Sequence, residues 1–232
     1  MNDSSVQMEP IACIHTDFDS KFGVPRQSGL VSALKASIVF EPAWRDPNAV
    51  RGLEGYSYIW AIWQFSKVPE GRWSATVRPP RLGGDVRMGV FATRSPFRPN
   101  HIGLSSLKLD AVEYTRDLGP VLHVSGADLV DGTPILDIKP YLAYTDSHPE
   151  AAGGFTDSVS RPKLHCIIPD NLLRAVPQEK QLPLYGVLEN DPRSPYQRDP
   201  ERIYGFVFAD LEIHFCVQGS TLTVTGIAPA AK

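Results

Sequence analysis

Thirteen consecutive residues, Thr93-Arg94-Ser95-Pro96-Phe97-Arg98-Pro99-Asn100-His101-Ile102-Gly103-Leu104-Ser105, bring two arginines, two prolines, an asparagine, a histidine and a glycine together after a strand-like run. Each proline fixes its φ and removes a backbone donor, while each guanidinium presents a rigid fork of N–H groups. Arginine forks on a stiff turn suit an anionic or purine-bearing ligand. An ordinary proline-rich turn is the competing reading. A second stretch, Asp128-Leu129-Val130-Asp131-Gly132-Thr133-Pro134-Ile135-Leu136-Asp137-Ile138-Lys139-Pro140-Tyr141, contains a DG turn that leads into an apolar strand interrupted by charge. In an alternating strand Asp137, Lys139 and Tyr141 share one face, opposite Leu136 and Ile138. A carboxylate, an ammonium and a phenol on one face make either a solvated edge or a polar site.

Charge is unevenly distributed around the first stretch. The 232 residues carry a net charge of −3. Yet 71–109 holds Arg72, Arg78, Arg81, Arg87, Arg94, Arg98 and Lys108 against Asp85 alone, a local net of +6 that leaves −9 on the rest. So basic a segment in an acidic chain is an anion or nucleic-acid footprint, or a solvated arginine face. Stock motifs are missing: no GxGxxG opens a helix, and there is no GxxxxGK[ST], GxSxG or HExxH. The six histidines show no ligand spacing. Cys13, Cys166 and Cys216 are odd in number and far apart, which reads as reduced thiols in a cytoplasmic protein. The first ten residues lack a basic region followed by an apolar stretch, and no apolar run approaches the roughly 20 residues of a membrane span.

The elements that must position these residues are mostly strands. With 21 prolines in the chain, a helical bundle or coiled coil is excluded. Short β-rich runs at Ala12–Ile14, Ala36–Phe40, Tyr58–Phe65, Arg87–Thr93, Ser105–Tyr114, Val121–Ala127 and Pro134–Tyr141 suggest a sheet curled into a barrel or sandwich. Leu53, Tyr56, Trp60 and Trp63 also fit a helical face, but Gly52 and Gly55 favour a short helical turn before a strand. Residues 149–162 read as a linker or mobile loop separating a domain at 1–148 from a small α+β domain at 163–232. In the latter, Asp170 is expected to cap a short helix through Val176, and Pro183 to interrupt a second at Lys180–Glu189. Ile203–Val217 and Thr221–Ile227 are expected to form a hairpin across Gln218-Gly219-Ser220.

Four separated stretches, FGVPRQSGLV at 22–31, GLEGYSYIW at 52–60, TRSPFRPNHIGLS at 93–105 and LVDGTPILDIKPYL at 129–142, resemble the TrmO family in order and spacing. These are the TsaA or YaeB-like S-adenosylmethionine-dependent tRNA N6-methyladenosine methyltransferases. A fifth stretch, Asp191-Pro192-Arg193-Ser194-Pro195-Tyr196 with Tyr204-Gly205, is similar to the DPRPAY element of a C-terminal extension, with Ser194-Pro195 replacing the usual Pro-Ala.

The resemblance implies a mainly β chain: a compact, non-Rossmann β-barrel methyltransferase domain followed by a small C-terminal α+β domain. It also implies a homodimer with S-adenosylmethionine near the subunit interface, no metal, and methylation of N6 of threonylcarbamoyladenosine beside the anticodon of threonine tRNA. Matching motifs assign Pro25, Arg26, Gln27, Arg94, Leu104, Asp131, Gly132, Thr133 and Pro134 to the cofactor pocket. Ser66 and Lys67 join them where many bacterial relatives carry a His-Gln pair. Asp137 and Tyr141 are then the expected base or polarising groups, and Lys139 or Arg98 would hold the threonyl carboxylate or a phosphate. Arg72, Arg78, Arg81, Arg87 and Arg98 would bind the anticodon stem-loop backbone. The rival readings are methyl transfer to another nitrogen acceptor, and a non-catalytic RNA- or nucleotide-binding module on the same scaffold.

Overall fold

A computed structural model describes residues 6–69, 71–159, 162–193 and 199–231. Ser194, Pro195 and Tyr196 of the fifth stretch, with Ser160 and Arg161 of the expected linker, lie outside them. The strands are β1 (Ala12–His15), β2 (Lys35–Phe40), β3 (Tyr58–Gln64), β4 (Thr76–Val77), β5 (Met88–Gly89), β6 (Ile102–Thr115), β7 (Gly119–Ser125), β8 (Thr133–Pro140), β9 (His165–Ile167), β10 (Tyr204–Phe208), β11 (Leu211–Gln218) and β12 (Thr221–Pro229).

Six of them close into a barrel in the order β1-β2-β7-β6-β3-β8. Closure leaves no exposed sheet edge and resolves the choice between barrel and sandwich. Alternation fills the interior: Ile59, Ala61 and Trp63 of β3 point in with Leu107 and Leu109 of β6, and pack on Ile14, Ile38, Leu122 and Ile135. Every barrel pair is antiparallel. Neighbouring strands therefore point oppositely, and three connections, 16–34, 65–101 and 126–132, emerge at the same end. Three of the four family-like stretches lie in or beside these connections, while 52–60 leads into β3 from the opposite end.

The smaller sheet runs β10-β11-β12-β9, with β9 parallel to β12. Helix α3 (Gln178–Glu189) supplies buried Pro183, Leu184, Val187 and Leu188 to its core. That core also contains Phe18, Val31 and Leu34 from the 16–34 connection. Gly23 lies there at φ +95°, with the Phe206 ring only 2.4 Å from where a Cβ would sit. Barrel loop and small sheet are thus packed as one.

Four expectations need correcting. Arg87–Thr93 contributes only β5, paired with β4 in a two-stranded ribbon, and then turns at Val90–Ala92. Pro183 does not interrupt α3, because packing of its buried face outweighs the roughly 3 kcal/mol that an interior proline costs. Asp170 does not cap the short helix α2 (Asp170–Leu173); Pro169 occupies that position and no side chain caps it. Finally, Ile203–Val217 is split by a turn with Ala209 and Asp210 at φ 50° and 59°. No glycine marks that turn, and a hydrogen bond from Ala209 N–H to the Asp17 carbonyl at 3.0 Å helps hold it. Among the described residues, no helix is long and apolar enough to cross a membrane.

Candidate active site

The loop end of the barrel brings most of the expected cofactor residues together. Arg94 donates from Nη1 to Oε1 of Gln27, a direct link between the first and third family-like stretches. Gln27 in turn donates to the Arg26 carbonyl at 2.5 Å, and Pro25 beside it is buried. Lys67, next to exposed Ser66, donates to the Asp19 carbonyl at 2.7 Å, tying the 65–101 connection to 16–34. The Asp131-Gly132-Thr133-Pro134 turn closes the end. Asp131 N–H reaches the Phe18 carbonyl at 2.6 Å and Gly132 N–H the Ile14 carbonyl at 3.0 Å.

Several of these groups are already engaged within the chain. The backbone donors of the DG turn hold β1 and the connection that follows it, and Asp131 Oδ1 accepts from Thr16 N–H at 3.0 Å with the His15 ring 3.3 Å away. Thr133 turns its hydroxyl to the Val130 carbonyl at 2.6 Å. Arg26 points its guanidinium at the carbonyls of Asp191 and Arg193, at 3.3 and 2.8 Å, in the fifth family-like stretch. Arg98 binds the carbonyls of Thr93 and Ser95 at 3.2 and 3.3 Å and so braces its own loop.

Leu104 points away from this cluster, onto the outer face of β6, and is 50% exposed. It pairs with Ile62, which pairs with Asp137. Leu104 and Asp137 thus share one row across three strands, about 10 Å long. Lys139 stands next on that face and pairs with Asp137 at 2.9 Å, while Ile138 N–H also reaches Asp137 at 2.9 Å. Tyr141 lies against Trp60 and Tyr58, with ring centroids 5.5 and 6.2 Å away. Within one chain the expected catalytic trio therefore occupies the barrel's outer wall rather than the loop cluster.

The β4–β5 ribbon extends from the same end. Its exposed arginines are Arg72, Arg78, Arg81 and Arg87, with Arg87 bonded to Thr76 Oγ1 at 2.9 Å and Arg81 to the Thr156 carbonyl at 3.2 Å. Trp73, Phe91 and Phe97 are 55%, 76% and 41% exposed among them. Ser74 N–H to the Phe97 carbonyl and Val90 N–H to the Ala75 carbonyl join these segments. Cations and exposed rings on one ribbon match the needs of a single-stranded nucleic acid.

Residue-by-residue reading of the sequence missed a polar chain beneath the cluster. Trp63 Nε1–H donates to Ser105 Oγ at 3.0 Å, and the Ser105 hydroxyl donates to Asp128 Oδ1 at 2.6 Å. Gly103 permits this, since a Cβ there would meet the Trp63 indole at 2.3 Å. Burial raises the Asp128 carboxyl pKa despite hydrogen bonding and the nearby positive charge of Arg94. The available signal was Ser105, a polar residue between Gly103 and Leu107 on the inward register of a strand.

Comparison with known proteins bears directly on this arrangement. A family model for the tRNA-methyltransferase O N-terminal domain matches residues 13–147, and one for the TrmO C-terminal domain matches 173–230. The tRNA (adenine(37)-N6)-methyltransferase of Escherichia coli (strain K12) is 38% identical over 234 residues, 97% of this chain and 99% of that protein. A probable S-adenosyl-L-methionine-binding protein of Methanothermobacter thermautotrophicus is 32% identical over 147 residues, 63% of this chain and 98% of that protein. A crystal structure of TrmO from Pseudomonas aeruginosa superimposes with a TM-score of 0.79 at 30% identity, covering 97% of this chain and 98% of that one.

The Arg26 clamp has a measurable consequence. Arg26→Ala leaves two carbonyls without their charged donor and is expected to lower stability by about 1–3 kcal/mol. Hydrogen exchange should accelerate together at 22–31 and 190–193. Unchanged exchange at 22–31 would show that the clamp does not hold that loop.

Proposed function

The chain belongs to the TrmO family, and from that premise we propose that it methylates N6 of threonylcarbamoyladenosine at position 37 of threonine tRNA, as a cytoplasmic homodimer. It is a tRNA (adenine(37)-N6)-methyltransferase that uses S-adenosylmethionine. The observation that carries the finer reading is the convergence of three family-like stretches with an arginine-rich ribbon at one end of a closed barrel.

The donor set fits the cofactor. Gln27 offers a paired donor and acceptor for an adenine edge, Arg94 a fork for a carboxylate, Asp131 a carboxylate for hydroxyl or ammonium groups, and Pro25 apolar surface, while Leu104, on the outer face of β6, joins a pocket only through a second copy. Arg26, Ser66, Lys67, Gly132, Thr133 and Pro134 complete the pocket, with Arg26 and Lys67 anchoring its walls. When bound, S-adenosylmethionine supplies an electrophilic methyl group on a sulfonium.

Positioning supplies most of the rate, because the acceptor nitrogen must approach that methyl in line. The acceptor's lone pair is delocalised into its carbamoyl group, and the nitrogen still carries a proton. Asp137 would accept that proton as the nitrogen takes the methyl and the S–CH3 bond breaks, the sulfur leaving as a neutral thioether, and Lys139 and Tyr141 would hold the threonyl carboxylate and the ring. A second copy packs on the outer face of β3, β6 and β8, where Tyr58, Leu104 and Tyr141 present apolar surface beside Asp137. Its loop end thereby meets the trio that a single chain leaves outside. The anticodon stem-loop lies along Arg72, Arg78, Arg81 and Arg87, with Arg98 bracing the loop at its edge.

Incubation with labelled S-adenosylmethionine and threonine tRNA, with and without the threonylcarbamoyl group, followed by nucleoside mass spectrometry, tests the reaction. One methyl is expected on the carbamoylated adenosine only. Methyl on neither tRNA, despite cofactor binding, would redirect the search to other acceptors. In the same assay, Asp137→Asn retaining wild-type turnover and pH dependence would remove Asp137 as base. The ribbon is tested separately: Arg78→Ala and Arg87→Ala should each weaken tRNA binding and lower the slope of log affinity against log salt by about 1. An unchanged slope would place the RNA elsewhere.

A further inference from the structure

Two large rings stand in solvent on the arginine-rich ribbon, and neither has a part in the proposed chemistry. Trp73 is 55% and Phe91 76% exposed. The backbone that carries them is nevertheless fixed. His101, buried and at φ +45°, places its Nε2 3.1 Å from the Arg72 carbonyl, immediately before Trp73. Immediately after Trp73, Ser74 N–H bonds the Phe97 carbonyl at 3.1 Å. The turn that carries Phe91 is held by Val90 N–H on the Ala75 carbonyl at 3.0 Å and by Thr93 Oγ1–H on the Val90 carbonyl at 2.8 Å. Val90 itself is buried, so Phe91 stands outward beside an anchored residue. Pairing of Thr76 with Gly89 brings the two ring-bearing segments side by side. Three residues beyond Phe91, Arg94 donates to Gln27, which makes the ribbon continuous with the loop cluster.

We propose that Trp73 and Phe91 are the residues by which this chain selects an unpaired RNA loop over a duplex, each ring stacking on the face of an unpaired base. The proposal rests on the reading that the anticodon stem-loop lies along the ribbon. Charge complementarity points to the occupant: Arg72, Arg78, Arg81 and Arg87 accompany the rings, and Asp85 is the one acid in 71–109. Cations alone hold paired and unpaired strands alike, because both carry phosphates. The rings add the discrimination. A base inside a duplex has both faces covered by its neighbours, whereas a loop base can offer one to the protein. The chemistry also requires an unstacked base, since the acceptor nitrogen must leave its stack to meet the sulfonium methyl in line. Its neighbours then lose a stacking partner, and a ring supplied by the protein replaces it. With the ribbon backbone already held by hydrogen bonds, the rings are presented at little ordering cost.

Trp73→Ala and Phe91→Ala test this with two RNAs, the anticodon stem-loop of threonine tRNA as a hairpin and a blunt duplex of equal length, each titrated at several salt concentrations. Both variants are expected to bind the hairpin roughly 5- to 100-fold more weakly. Duplex affinity, the slope of log affinity against log salt, and affinity for S-adenosylmethionine should stay at their wild-type values. Trp73→Phe should restore hairpin binding. Fluorescence of 2-aminopurine in the hairpin loop should be quenched by the wild type and by Trp73→Phe, and less by Trp73→Ala. Wild-type hairpin affinity in both alanine variants would overturn the proposal while leaving the arginine footprint intact. An equal loss on hairpin and duplex would also overturn it. So would loss of the wild-type oligomeric state in light scattering, which would mark the rings as a contact between copies of this chain. Wild-type protein that binds neither RNA would overturn the underlying reading, and the proposal with it.

Discussion

The connection from β1 to β2 is held from two sides, and the site depends on that. Its Phe18, Val31 and Leu34 are buried in the core of the small sheet, while Gly29 N–H bonds the Gly126 carbonyl at 2.9 Å on the barrel side. A loop this long, left free, would sample many conformations at a cost of about 1–2 kcal/mol per residue to order. Here hydrophobic burial does the ordering during folding, so a ligand meets a loop already in place. Gly23 against Phe206, and the Phe22 and Phe206 rings 6.1 Å apart, show how closely the small sheet moulds the segment. The C-terminal region is therefore part of the site's architecture even though it supplies few of the groups that would touch a ligand.

Barrel closure does the complementary work. Because all six strands alternate in direction, the connections that carry chemistry must emerge together, and residues far apart in sequence become neighbours without any dedicated contact. The inward face is almost wholly apolar, which makes Ser105 conspicuous. The outward face is divided. Around β2 and β7 it carries paired charges such as Lys35 with Asp110, whereas around β3 and β8 it carries Tyr58, Trp60 and Tyr141 beside the Asp137–Lys139 ion pair. An aromatic wall of this kind suits contact with another surface better than contact with water.

Much of this was legible in the sequence, for identifiable reasons. Alternation in Tyr58–Phe65 and Pro134–Tyr141 marks strands because one face of each is buried. Three of the four family-like stretches mark the loop end because turn residues and arginines cluster there. Other features lacked a local signal. The Ala209-Asp210 turn has no glycine, and β9 is three residues long and gains its identity only by pairing with β12. The continuity of α3 through Pro183 reflects packing that composition does not display. In the site itself, Arg26 reads as a ligand contact until its guanidinium is seen on the carbonyls of Asp191 and Arg193. Asp128 carries no local signal, since Ser105 and Trp63, the residues that join it in a polar chain, come from two other segments.

The proposed cofactor site lies at the loop end of the barrel. Hydrogen exchange with and without S-adenosylmethionine, read by mass spectrometry across the whole chain, tests this most directly. Protection is expected at 22–31, 66–67, 93–105 and 126–134, with the opposite end at 41–57 and 116–118 unchanged. Protection at that opposite end, with the three loops unaffected, would contradict it.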